Sequence, residues 1–150
     1  MFRSTKVTAM LADHAAVAEG KLYLSGGGWT ITGPDPMPFA IAMLIEMPWD
    51  SAGVQHTAKL ELIDSEGNPV MGDTPAGTQE PIAIHGGFGM TPGPELRRGT
   101  PLQMPLALNV PPLMIPPGGR YEWRVEIDGE THEDWRLGFT TRPGSQSQAA

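Results

Sequence analysis

Apolar and polar residues alternate in the C-terminal part of the chain, which is the pattern of strands with one buried and one exposed face. In the segment 120–127 every second residue is apolar, and the segment 135–139 repeats the pattern after Asp128 and Gly129. Because an Asp-Gly pair commonly forms the turn between antiparallel strands, these segments predict a β-hairpin.

The side chains of this hairpin also indicate its register. A two-residue Asp-Gly loop would place Trp123 on the same face as Asp134, so that the apolar faces would not match. A three-residue loop at Asp128–Glu130 restores the match and sets Trp123 opposite Trp135, an aromatic cross-strand pair of a kind that contributes about 0.2–1 kcal/mol. The other predicted pairs join apolar residues or opposite charges: Tyr121 with Leu137, Arg124 with Asp134, and Glu122 with Arg136.

Shorter alternating segments fill the rest of the chain. They predict strands at 5–17, 21–31, 39–47, 56–63, 81–90 and 102–110, with a polar loop at 71–80. The 19 glycines and 16 prolines cluster between these segments, as turn residues do. With no helix of usable length, the pattern predicts an all-β protein, a two-sheet immunoglobulin-like β-sandwich of eight to nine strands.

The length of 150 residues suits one domain. We expect a single β-sandwich domain over residues 1–143 and a flexible tail of small residues over 144–150. The absence of cysteine excludes disulfides, thiolate metal sites and cysteine nucleophiles, and it fits a reducing compartment. Because neither a cleavable leader nor an apolar run of about 20 residues is present, we expect a soluble, cytoplasmic protein.

The formal charge of −7 bears on the kind of partner. Nucleic acids and anionic membranes are bound by basic surfaces, and the only adjacent basic pair, Arg97-Arg98, lies in a segment rich in proline and glycine. We therefore expect no nucleic-acid partner and no membrane partner.

Three consecutive glycines, Gly26, Gly27 and Gly28, interrupt the predicted strand 21–31 just before Trp29. Glycine within a strand is unfavourable by about 0.5–1 kcal/mol relative to alanine, so a structural or functional reason is expected. One interpretation is a bulge, or an indole packed across bare backbone; the other is the close approach of a ligand. In the second case the binding surface consists of these glycines with Trp29 and Trp49.

Catalytic and metal-binding patterns are weak. The histidines His14, His56, His85 and His132 are not spaced as metal ligands. A hydrolase could be assembled only from Ser25, a histidine such as His14 or His85, and Asp13, with the glycines as oxyanion donors, but no strand–turn–helix context surrounds Ser25. We therefore predict no catalytic residue, no metal site and no cofactor.

Two resemblances accompany these patterns. Tyr121, after Pro116-Pro117-Gly118-Gly119, resembles the tyrosine corner of immunoglobulin-like domains, which implies that fold for the last third of the chain. Across nearly its whole length, the chain is similar to a family of small bacterial all-β proteins of unknown function. The segments that carry this similarity are 12–15, 20–29, 48–49, 60–64 and 119–124. The similarity implies a bacterial origin but no activity or cofactor.

Two further features favour a role in protein contacts. The strand 39–47 is apolar on both faces, so its second face needs a cover, either loops such as 111–117 or another copy of the chain. The chain also has nine methionines, a residue type that suits adaptable apolar contacts. The leading hypothesis is a non-catalytic protein that acts through a protein partner or as a homo-oligomer, as an accessory or structural component of a bacterial or phage assembly. The alternative is a small-ligand or carbohydrate-binding module, which requires Trp29 to be exposed beside a concavity.

Overall fold

The computed structural model of the chain describes residues 5–144, which form strands and two short 3₁₀ turns. The strands are β1 (Lys6–Ala12), β2 (His14–Ala18), β3 (Lys21–Ser25), β4 (Ile31–Thr32), β5 (Phe39–Met47), β6 (Gln55–Asp64), β7 (Met71–Asp73), β8 (Gln79–Pro81), β9 (Ala83–Gly89), β10 (Leu102–Val110), β11 (Arg120–Ile127) and β12 (Arg136–Thr141). The 3₁₀ turns are Trp49–Ser51 and Glu133–Trp135. The all-β prediction is confirmed over the described residues. Of the tail predicted at 144–150, all but Gly144 lies outside them.

Two sheets contain most of the strands. The larger has the order β4-β12-β11-β6-β9 and the smaller the order β1-β5-β10. Their side chains form one hydrophobic core, to which β5 contributes Ile41, Met43 and Ile45, and β11 contributes Trp123 and Val125. All five are fully buried. Burying one aliphatic side chain of this size contributes about 1.5–3 kcal/mol to stability. These buried residues stand at positions where the alternation of the sequence places an apolar side chain.

The second face of β5 is covered by the chain itself at Ala40 and Ala42, and is half-exposed at Leu44. The β2–β3 hairpin packs on the outer face of the three-stranded sheet through short side chains, with Ala12, Ala15, Ala40 and Ala42 buried together. Asn109 of β10 holds the hairpin, because its Nδ2 donates to the Ala15 carbonyl at 2.8 Å and its Oδ1 accepts from the Ala15 N–H at 3.3 Å. Neither the loop 111–117 nor a second copy is needed to bury Ala40 and Ala42.

Two predicted strands are shorter than the sequence indicated. The strand expected at 5–17 divides at Asp13, whose N–H donates to the Ser25 carbonyl at 3.0 Å. The strand expected at 21–31 ends at Ser25, because Gly26 and Gly28 have positive φ angles of 61° and 89°, which an extended strand does not allow. Each of these two predicted strands is therefore divided into two. The loop expected at 71–80 also contains most of a β7–β8 hairpin, so the described residues form twelve strands and not eight or nine.

The predicted register of the C-terminal hairpin is wrong by one pair. Trp123 lies opposite Leu137 and Tyr121 opposite Phe139, because the loop is longer and Trp135 belongs to a 3₁₀ turn. The faces are nevertheless as predicted, since the shift is an even number of residues. An aromatic cross-strand pair also forms, but between Tyr121 and Phe139, whose ring centroids are 5.8 Å apart.

On the outer face of the hairpin, the predicted charge pairs are partly formed. Arg124 lies opposite Arg136 and not opposite Asp134. Glu122 lies between the two arginines, with its Oε2 3.4 Å from Arg124 Nη2 and 3.4 Å from Arg136 Nε. The expected contact of Glu122 with Arg136 is therefore present, although the two residues are not directly opposite.

Tyr121 ties β11 to the connection that precedes it. Its hydroxyl donates to the Pro116 carbonyl at 3.0 Å, and the Thr141 hydroxyl donates to the same oxygen at 2.8 Å. Gly119 allows this arrangement, since a Cβ atom at residue 119 would lie only 2.6 Å from the Tyr121 hydroxyl. The tyrosine ring therefore packs over a residue that has no side chain.

No described segment forms a helix with the length and apolar character needed to cross a membrane.

Candidate functional site

The three glycines singled out by the sequence form an exposed turn between β3 and β4. Gly28 N–H donates to the Leu11 carbonyl at 2.7 Å, which joins the turn to β1. A side chain at Gly27 would collide with Leu24 and Met10, and one at Gly26 with Asp13. Packing therefore explains why residues 26 and 27 are glycines, since neighbouring side chains of the same chain occupy the space that a side chain there would need.

Trp29 packs into the core and does not form an open platform. Its ring meets Phe39 and Phe139 edge to face, at centroid distances of 5.8 Å and 5.9 Å. The hollow beside it measures about 30 Å³, room for about one water molecule and far below the roughly 300–1,000 Å³ of ligand pockets. Trp49 is also partly buried against the core, and it does not line this hollow. The structure does not bring Trp29 and Trp49 together at one concave site.

The residues of the hydrolase hypothesis are only partly brought together. His14 and Ser25 lie opposite each other in the β2–β3 hairpin, and both are exposed. Over residues 5–144, no hydrogen bond joins their side chains. His85 lies on β9 in the other sheet. A nucleophile paired with a base is therefore not formed at Ser25 in this conformation.

His56 is the histidine with the most constrained surroundings. Its side chain is buried on β6, where Nδ1 lies 2.8 Å from Asp128 Oδ2 and Nε2 lies 3.2 Å from the Ser51 carbonyl oxygen. Its ring also lies against Phe88, with ring centroids 5.3 Å apart. Both nitrogens face oxygen acceptors, so the protonated imidazole satisfies both contacts as a donor.

The same contacts shift two pKa values. Burial lowers the pKa of His56, but the hydrogen bonds to Asp128 and the Ser51 carbonyl outweigh it, and the pKa lies above 6.5. Burial raises the pKa of Asp128, but the Thr57 N–H and the His56 ring lower it more strongly, and it lies below 3.8. Because neither imidazole nitrogen is left to accept a proton from a substrate, the pair has the geometry of a structural contact between β6 and the turn after β11.

Histidine, aspartate and glutamate side chains could together form a metal site only where at least three of them converge. Within the described ranges of the chain, no three histidine, aspartate or glutamate side chains converge in a way that could hold a metal ion.

An apolar cleft lies between β9 and β10, the outermost strands of the two main sheets on one side of the molecule. It consists of two adjoining hollows of about 480 Å³ and 190 Å³, which share Ile84 and Leu108 as lining residues. Half-buried side chains, among them Phe88 and Leu106, form its walls, and the buried Trp123 borders the larger hollow. The two sheets are therefore not sealed along this side.

One property makes the cleft suitable for contact with another molecule. Its lining contains no Asp, Glu, Lys or Arg, and His85 is its one ionisable residue. Removing such an apolar surface from water is favourable, so the cleft gains stability when another apolar surface covers it.

The backbone of β9 borders this cleft, and on one side it pairs with no strand of residues 5–144. Leu62 N–H donates to the Ile82 carbonyl at 3.0 Å, and Asp128 N–H donates to the Thr57 carbonyl at 2.9 Å. Because hydrogen-bonded pairs alternate along an antiparallel ladder, the even residues of β6 bond to β9 and the odd ones to β11. The N–H and C=O groups of the odd residues of β9 therefore point to the free edge. These residues are Ala83, His85, Gly87 and Gly89.

The sequence contains a signal for this edge. Gly86, Gly87 and Gly89 lie within the segment 81–90, where glycine in a strand favours the close approach of another backbone. The same signal at Gly26–Gly28 corresponds to a turn and not to an approaching backbone.

These observations define an all-β protein whose two main sheets share one core and leave an apolar cleft beside the edge strand β9. The chain belongs to a family of unknown function, DUF6941, whose family model matches residues 7–140. The match confirms the similarity to a family without an assigned function. No curated protein matches the chain, and no solved structure does.

Proposed function

We propose that this protein is not an enzyme and acts through contacts with proteins, as an accessory or structural component of a bacterial or phage assembly in the cytoplasm. The observation that carries the proposal is the cleft between β9 and β10, because it combines apolar walls with a free strand edge. An extended polypeptide that adds to such an edge forms backbone hydrogen bonds and places alternate side chains against the sheet.

We propose the immunoglobulin-like two-sheet sandwich as the fold of the domain. The shared core of the two main sheets supports it, as does the hydrogen bond from the Tyr121 hydroxyl to Pro116, five residues upstream. A tyrosine corner of immunoglobulin-like domains has this type of bond.

The alternative function, a small-ligand or carbohydrate module at Gly26, Gly27, Gly28, Trp29 and Trp49, receives less support. Carbohydrate platforms need accessible aromatic faces, whereas Trp29 is wedged between two phenylalanines and its hollow holds about one water molecule. The proposal of protein contacts uses no part of this surface.

Site-specific photo-crosslinking tests the proposal. A benzoylphenylalanine at His85, which is exposed on β9, should form adducts with protein when cells that make the full chain are irradiated. The matched control carries the same group at Tyr23, an exposed aromatic residue on the β2–β3 hairpin. Adducts that form at residue 85 and not at residue 23 support the proposal. The absence of protein adducts at residue 85 contradicts it.

A further inference from the structure

We infer that the free edge of β9 pairs with β9 of a second copy of this chain, antiparallel around a twofold axis at Gly87, so that two five-stranded sheets join into one. The inference rests on the proposed function and names its partner. A twofold interface brings the same surface of both copies together, so the surface must be complementary to itself. The backbone, the side chains and the charge of β9 each meet this requirement.

The backbone of β9 is self-complementary because its free N–H and C=O groups belong to the odd residues. With the axis at Gly87, that residue faces Gly87 of the partner subunit as a hydrogen-bonded pair, and His85 faces Gly89 of the partner subunit. No Lys, Asp, Glu, Arg or Pro occurs in β9. Natural edge strands that avoid pairing usually carry such residues, and glycine leaves the backbone open to approach.

The side chains fit in the same register. Phe88 of the partner subunit comes to lie opposite Gly86, on the face of β9 that turns to the cleft. A Cβ atom at Gly86 would have no other atom within 4 Å, so the space beside it is open. An aromatic ring placed across from a glycine on a neighbouring strand covers the backbone that the glycine exposes. By symmetry, each copy supplies one such ring to the other.

Charge favours this edge over the free edge of β1. Two copies of a chain with a formal charge of −7 repel each other, so they associate best where charge is absent. The cleft has no charged lining residue, and His85 is the one ionisable residue of β9. On β1, the outer strand of the smaller sheet, Lys6 lies on the strand, and the Leu11 carbonyl already accepts a bond from Gly28.

The mass in solution tests the pairing. Light scattering on the purified full chain should give twice the chain mass of 16.1 kDa. Gly86→Lys should lower it twofold, because the lysine fits the open space in one copy but occupies the position of Phe88 of the partner subunit and brings a charge into an apolar contact. Thr8→Lys, an exposed residue of β1 with the same change of charge, should leave the mass unchanged. Circular dichroism checks that both variants are folded.

A chemical crosslink tests the register in a second way. The chain has no cysteine, so Gly87→Cys introduces a single thiol at the axis. The nearest atom to its Cβ would be the end of the exposed Gln55 side chain, which can move aside. Hydrogen-bonded antiparallel residues have Cα atoms about 5.5 Å apart and Cβ atoms at a similar distance, which a short bismaleimide crosslinker spans more readily than a disulfide. The crosslinker should give a covalent dimer for Gly87→Cys and far less for Ser65→Cys, in the turn after β6.

The outcomes separate this inference from the function on which it rests. A wild-type mass of one chain, or a doubled mass that Gly86→Lys does not lower, overturns pairing through β9. If the chain is a monomer and residue 85 crosslinks to a different protein, the second copy is the wrong partner while the function through protein contacts stands. If residue 85 gives no protein adduct either, both fail.

Discussion

The ring of His56 and the carboxylate of Asp128 join the first part of β6 to the turn after β11, with 2.8 Å between Nδ1 and Oδ2. Asp128 has a positive φ of 51° and also accepts from the Thr57 N–H at 2.9 Å through Oδ1. The carboxylate therefore holds a turn whose backbone conformation is otherwise unfavourable. The strand pairing between β6 and β11 is secured at this end by side chains as well as by the ladder.

The stability of the protein should decrease as the pH rises above 6.5 because of His56. The pKa of His56 is raised above 6.5 in the folded chain, so its contribution is fully present below pH 6.5 and is lost as the pH rises through the folded pKa. Urea unfolding across this range should show a decline in the wild type that is smaller in His56→Gln. The control His85→Gln replaces an exposed histidine and should keep the decline. An unchanged pH dependence in His56→Gln would contradict the assignment.

Replacing Asp128 should separate its charge from its hydrogen bonds. Asp128→Ala leaves the Thr57 N–H and the Nδ1 atom of His56 without their partner, at a cost of about 1–3 kcal/mol in the free energy of unfolding at neutral pH. Asp128→Asn should cost less, because asparagine tolerates the positive φ and can still accept from Thr57. Chemical denaturation measures both. Since the pKa of Asp128 is lowered below 3.8, its contribution is present above pH 3.8 and disappears as the pH falls through the folded pKa.

Gly119→Ala should destabilise the chain more than its small size suggests. The added methyl group would lie within 2.6–2.9 Å of the Tyr121 ring and hydroxyl, so the ring must move and its bond to Pro116 lengthens. Overpacking of this kind costs about 1–3 kcal/mol. The matched control is Gly93→Ala, where a Cβ atom would have no other atom within 4 Å, and its effect on the thermal midpoint should be near zero. Equal effects of the two variants would show that the packing of Tyr121 over Gly119 does not matter.

Alternation in the sequence predicts which face of a strand is buried better than it predicts which residues pair. Trp123 and Tyr121 face the core as predicted, because the pattern fixes the face of each side chain. Their partners differ, because the length of the loop depends on Trp135. That residue is apolar and in phase with β12, yet it is buried from a 3₁₀ turn. The two-residue period cannot distinguish a residue in the first position of a strand from one in the turn before it.

Glycine in the sequence indicates where a side chain cannot be placed, but not what occupies the space. At Gly26 and Gly27 the neighbours are Asp13, Leu24 and Met10 of the same chain, so these positions are explained by folding. At Gly86 the space is open. Whether the space beside a glycine is filled or open depends on contacts with other segments of the folded chain. The local amino-acid composition does not predict these contacts. For the same reason, the cleft between β9 and β10 could be seen only in the folded chain.

The attachment of the β2–β3 hairpin should depend on Asn109. This side chain donates to the Ala15 carbonyl and accepts from the Ala15 N–H, so Asn109→Ala removes two hydrogen bonds that contribute about 1 kcal/mol each. Because the buried contact beneath the hairpin consists mainly of alanines, it has little apolar area to compensate. Hydrogen exchange of amides in residues 14–25 should accelerate in Asn109→Ala, whereas the core strand β11 should be nearly unaffected. Gln103→Ala, on the same strand with an exposed bond to Glu46, is the control and should leave the hairpin protected. If exchange accelerates equally throughout the chain, the hairpin is an integral part of the global fold and not a separately attached element.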